Sequence, residues 1–200
     1  MKQRLTPSGT VVLGTVFAAL TLCCSFYQPH VTGAVYEAVP AHASFAHRSA
    51  NLGELRNSPL YSRLNQMLGA GNSMDALLKN HEWIHLAAPA EIVITSFPMR
   101  RHGETKVWAA ISWVGWRSPW LRWKLEHART EGFTFIGKHS VWPVWKYETP
   151  DITRGSCLTL SLTDNLLIAC ISEDPGAITL FLDTYDRRIP SFSASHERIM

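Results

Sequence analysis

The chain has 200 residues, 46% of them hydrophobic and 18% charged, with a formal net charge of +3. That is room for one ordinary domain with a buried core, and it excludes intrinsic disorder as the overall class. The basic excess is too small for a typical nucleic-acid binder, and four Cys are too few for a disulfide scaffold. Eight Trp are the unusual count.

Lys2 and Arg4 precede an uncharged run from Val11 to Tyr27, which Pro29 closes. Its seventeen residues make about 25 Å of helix, just short of a ~30 Å hydrocarbon core. Slight membrane thinning accommodates the difference. No Lys or Arg follows until Arg48. The charge bias therefore puts residues 1–9 in the cytoplasm, a signal-anchor over 10–27 in the membrane, and the rest outside. In a bacterial cell this is a single-pass inner-membrane protein with its C-terminal domain outside the cytoplasm. Cleavage of 10–27 as a signal peptide is the alternative, since Thr32-Gly33-Ala34 and Ala41-His42-Ala43 offer small residues to a peptidase. Cys23 and Cys24 do not form a lipobox, because neither has a small residue before it.

Residues 28–42, rich in Pro, Gly, Ala and His, read as a linker. An α+β domain is expected over 43–187, with a flexible tail over 188–200. Within the domain, Ser44 to Ser49 reads as a short strand. Asn51 with Glu54 has the form of a capping box, and Ser58-Pro59 is a second helix start. Leu60, Tyr61, Leu64, Met67 and Leu68 then recur at helical spacing, and Asn72-Ser73 opens another helix with Met74, Leu77, Leu78 and Ile84 on one side. Glu91 to Thr95 and Val107 to Trp116 are β-branched and aromatic, with a turn at Arg100 to Gly103. Ser118-Pro119 starts a helix ending before Gly132. Strand resumes at Phe133 to Ile136 and continues over Val141 to Tyr147, bent at Pro143. Leu158 to Leu162 and Leu166 to Ile171 flank the turn Thr163-Asp164-Asn165 as a hairpin. Asp174-Pro175 starts a last helix with the face Ile178, Phe181, Leu182 and Tyr185. Blocks of helix and antiparallel hairpin predict a mainly antiparallel sheet with helices packed on one face, preceded by one N-terminal membrane helix.

No Gly-rich phosphate loop, internal repeat or G-x-S-x-G elbow is present. His81-Glu82-Trp83-Ile84-His85 is an H-E-x-x-H, which on a helix places two imidazoles on one face for Zn²⁺ and Glu82 beside the water to be activated. The motif resembles the zincin metallopeptidases. Glu104, which follows His85 after eighteen intervening residues, stands at the spacing of the third ligand in the gluzincin branch. That resemblance implies zinc held by His81, His85 and Glu104, with Glu82 as catalytic base. The context opposes it. Glu104 follows Gly103 in an expected turn, whereas the gluzincin ligand lies on a helix, and Pro89 and a strand intervene. The preferred reading makes His81 and His85 half-buried residues at the border of an apolar stripe, with no cofactor. The zinc enzyme is the alternative.

Cys157 and Cys170 flank the expected hairpin. A Thr163-Asp164 turn makes them directly opposite, and an Asp164-Asn165 turn makes them diagonal neighbours on one face. Outside the cytoplasm they are candidates for a disulfide, against two buried free thiols. Seven Trp lie between 108 and 145, with Arg117, Arg122 and Lys124 among them. Stacking on nucleic acid is disfavoured by the small charge and the location. On the helix from Ser118, Leu121, Leu125 and Ala128 define the core stripe, and Trp123 falls roughly 160° from it. Trp120, Arg122, Trp123 and Lys124 are thus the candidate interface with a protein partner or a lipid surface.

Residues 36–185 resemble the first repeat of bacterial, membrane-anchored extracytoplasmic proteins of unknown function. Val39-Pro40-Ala41, Asn51-Leu52, Thr163-Asp-Asn-Leu166 and Asp174-Pro175 carry the resemblance. It implies no activity. Composition and motifs together predict a membrane-tethered, non-catalytic binding or assembly module.

Overall fold

The computed structural model of the chain describes residues 15–18, 30–68, 90–99, 105–127, 132–147 and 156–193. Seven strands form a single sheet: β1 (Phe45–Ser49), β2 (Ile92–Met99), β3 (Thr105–Trp113), β4 (Phe133–His139), β5 (Trp142–Tyr147), β6 (Cys157–Leu162) and β7 (Leu166–Ser172). Their spatial order is β1-β2-β3-β7-β6-β5-β4, and every neighbouring pair is antiparallel. The α+β class read from the sequence is the observed one.

Local rules account for most element starts. Asn51 Oδ1 accepts the Glu54 N–H at 2.9 Å and Glu54 Oε2 accepts the Ala50 N–H, a reciprocal cap that starts α1 (Leu52–Arg56). Pro59 opens α2 (Pro59–Leu68). Asp174 caps a 3-10 turn at Pro175–Ala177 that runs into α4 (Ile178–Tyr185). Strand β3 stops at Trp113 because Gly115 turns the chain at a left-handed φ of 52° into α3 (Ser118–His127). An added Cβ at Gly115 would lie 2.2 Å from the Trp113 ring, so glycine is required there.

Helices cover both faces of the sheet, which corrects the one-face expectation. Along β7, Leu166, Ile168 and Cys170 join a cluster with Ile178, Phe181 and Leu182 of α4, while Leu167, Ala169 and Ile171 join one with Leu121 and Leu125 of α3. Successive strand residues point to opposite faces, so α3 and α4 lie on opposite sides. Helices α1 and α2 share the α3 side and cover Ile92 and Ile94 through Leu55, Leu60 and Tyr61. A sheet buried on both faces explains why β7 reads as a near-continuous apolar run and why Thr159 and Ser161 of β6 are buried.

The segment expected as a linker is part of the core. Ala34–Ala38 forms a 3-10 turn, and Ala34, Val35, Ala38 and Val39 pack with Val93, Ile111 and Phe181. Small side chains let this backbone approach the sheet, but a five-residue 3-10 turn has no periodicity to mark it in sequence. The expected tail is likewise engaged over its first residues. Ala41 N–H donates to Pro190 O, Phe192 N–H donates to Val39 O, and Tyr36 stacks on Phe192 at 5.5 Å between centroids.

One strand reading is also corrected. Residues 133–147 form two strands, not one bent strand. Ser140 takes the left-handed φ of 57° that a two-residue loop needs, and His139 pairs with Trp142. Residues 10–27 lie outside the described residues except for helical 15–18. Among the described residues no helix is long and apolar enough to cross a membrane.

Candidate functional site: the outer face of α3

Helix α3 carries the chain from β3 across one face of the sheet to the edge strand β4. Leu121 and Leu125 are buried against Leu158, Leu160 and Leu162, and that fixes the rotation of the helix. At the helix start, the Ser118 hydroxyl donates to Thr163 O. Opposite the buried stripe, Trp123 is 56% exposed and Trp120 41%. Trp123 stacks on His127 at 5.7 Å, and the Lys124 ammonium sits 5.4 Å from the Trp120 ring centre.

Ser118, Pro119, Arg122, Trp123 and Glu126 of α3 line an open depression of about 220 Å³ with Asp164 of the β6–β7 turn. Arg122 reaches across it, and its Nη2 donates to Leu162 O at 3.3 Å. The Arg122 Nε–H is buried and has no hydrogen-bond acceptor among the described residues. An aromatic face, two carboxylates and a half-satisfied guanidinium therefore meet on one outward surface.

His81, Glu82, His85 and Glu104 lie outside the described residues. Among the described residues no group of three or more His, Cys, Asp or Glu is placed to hold a metal ion. Cys157 and Cys170 are free, buried thiols. The register pairs Cys157 with Ser172 and Thr159 with Cys170, so the β6–β7 turn centres on Asp164-Asn165 and the two Cys are diagonal. Diagonal positions are roughly 7 Å apart, whereas a disulfide needs Cβ atoms at about 4 Å. The disulfide expectation is therefore not met. Burial pushes the Cys170 thiol up to about 12, which removes it as a nucleophile.

Two polar clusters were not foreseen. Glu91, only 1% exposed, accepts the Gly33 N–H at 2.8 and 3.2 Å, pairs with Arg48, and lies 3.4 Å from His30 Nε2. Its mark in the sequence is a lone acid immediately before a β-branched run. On the α4 side of the sheet, Asp183 bonds His139 Nε2 at 2.8 Å and Arg188 Nη1 at 3.1 Å, while Asp186 accepts from Trp142 Nε1 at 2.8 Å. These contacts tie the β4–β5 hairpin to α4.

No family model, no curated protein and no solved structure matches this chain.

Proposed function

We propose that the chain is a membrane-tethered domain outside the cytoplasm that acts as a non-catalytic binding or assembly module through the outer face of α3. The observation that carries this is the pair of exposed indoles, Trp120 and Trp123, on a helix whose opposite stripe is fully used in the core. Large aromatic rings with adjoining charges are the usual anchors of partner binding. The lining of Glu126, Asp164, Arg122 and Trp123 suits a polypeptide partner bearing a basic side chain.

The packing also favours retention of the N-terminal segment. A cut after Ala43 would remove Val35, Ala38 and Val39 from the core. A cut after Ala34 would put a charged amine on Val35, which is 0% exposed. An uncleaved anchor over 10–27 fits this fold better than a processed signal peptide.

Topology and partner binding are tested together by placing a photo-crosslinking residue at position 123 in the full-length chain in cells. The expected result is one discrete adduct, lost when Glu126 and Asp164 are both changed to Lys, together with digestion of the domain by protease added to intact spheroplasts. Protection from that protease would remove the reading.

A further inference from the structure

The structure places the chain's exit toward the N-terminus and a cluster of exposed apolar and cationic side chains at the same end of the sheet. Gly33 is held by Glu91, the residue just before β2, and the His30 ring packs against Trp113, the last residue of β3, at 5.0 Å. Trp113 is in turn fixed to this end by its N–H on Glu91 O. The N–H groups of Val114 and Gly115 both donate to Asn165 O, so the β6–β7 turn stands beside them. Val144 pairs with Ser161, which brings the Ser140-Val141 turn of the β4–β5 hairpin to the same end. Around this rim Val31 is 61% exposed, Trp116 52% and Val141 64%. The Arg117 guanidinium lies 5.3 Å from the Trp116 ring, exposed Arg187 follows α4, and Arg188 bonds the Ser140 hydroxyl.

We infer that this end of the sheet rests on the bilayer that holds the anchor, with Trp116, Val31 and Val141 in the headgroup layer and Arg117 and Arg187 on anionic lipid phosphates. The inference rests on the reading that residues 10–27 span the membrane. Only Gln28 and Pro29 separate Tyr27 from His30, three chain steps with a reach of at most roughly 10 Å. So short a tether leaves the rim at His30 no route away from the surface. Indole rings and guanidinium groups are the side chains favoured in that layer, and each Arg near an anionic surface adds attraction that salt screens. The bilayer is thus selected over a protein partner here by tether length and charge.

The test uses the full-length chain, labelled with 5-fluorotryptophan, in nanodiscs containing a headgroup-nitroxide lipid. The Trp116 signal is assigned by its loss in Trp116→Phe. Expected is selective broadening of Trp116 relative to Trp108, which lies toward the other end of β3. That broadening should strengthen severalfold when phosphatidylglycerol replaces half of the phosphatidylcholine, and weaken in Val141→Glu. Equal line widths for Trp116 and Trp108 in a chain that floats with vesicles would overturn the docking and leave the anchor standing. A chain that does not float would overturn the anchor itself. Broadening of Trp116 that ignores phosphatidylglycerol would overturn the assignment to anionic headgroups.

Discussion

Replacing Glu91 by Ala perturbs one side chain but tests how the N-terminal segment is held. The carboxylate is buried, accepts the Gly33 N–H with both oxygens, and pairs with Arg48, whose side chain is 43% exposed. Removing it leaves the Gly33 N–H without an acceptor, a loss of about 1–3 kcal/mol for a part-buried donor to a charged group. The Arg48 pair adds only up to about 1 kcal/mol, because Arg48 regains water. Together these give roughly 1–4 kcal/mol for Glu91→Ala and under about 1 kcal/mol for Arg48→Ala. Glu91→Gln keeps the acceptor and loses the charge, so its cost falls between the two. Urea unfolding of the purified full chain in detergent, with amide exchange at Gly33, reads both effects. A Glu91→Ala loss below about 1 kcal/mol, with Gly33 exchange unchanged, would refute the clamp.

On α3, Leu121→Ala should cost about 2–5 kcal/mol by the same unfolding assay, whereas Trp123→Ala should cost under about 1 kcal/mol and weaken partner crosslinking. Cys170 is raised from 9.0 to about 12 by burial, so the folded chain keeps a proton that the unfolded chain releases. Its contribution to stability is whole below pH 9 and is lost as pH rises toward 12, and Cys170→Ala should flatten that fall. Tyr185 and Tyr147, also raised by burial, act in the same direction, so the fall should not vanish. Iodoacetamide without reductant should label Cys157 and Cys170 only after denaturation, as a mass shift shows. Zinc in the purified chain should stay far below one equivalent and not change in a His81→Ala/His85→Ala variant, by elemental analysis.

The elements legible in sequence were those with a local cause. Asn51 and Asp174 cap what they announced, the 164–165 turn forms a hairpin, and the wheel position of Trp123 corresponds to its exposure. What escaped was decided by contacts distant in sequence. Val35 and Val39 belong to the core only because α4 and β2 arrive to cover them, and no periodicity records that. The second helical layer escaped for a related reason. A strand run such as Leu166 to Ile171 is apolar on both faces, which shows burial but not which helix lies on which side. Glu91 was visible as a charge before a strand, yet its partners at 33 and 48 come from separate segments.

The stitch between residues 39–41 and 190–192 has a mechanical consequence. The two strips run antiparallel, so the N-terminal side of one leaves beside the C-terminal side of the other. Tension between a membrane anchor and the C-terminal end would open this contact like a zipper, one hydrogen bond at a time, beginning with Phe192 N–H to Val39 O. From the N-terminal end the same tension meets the Glu91 clamp on Gly33 before it reaches the stitch. A pull on the C-terminal end would thus part Phe192 from Tyr36 before it reaches α4 and the sheet, a mechanical fuse at that end of the domain.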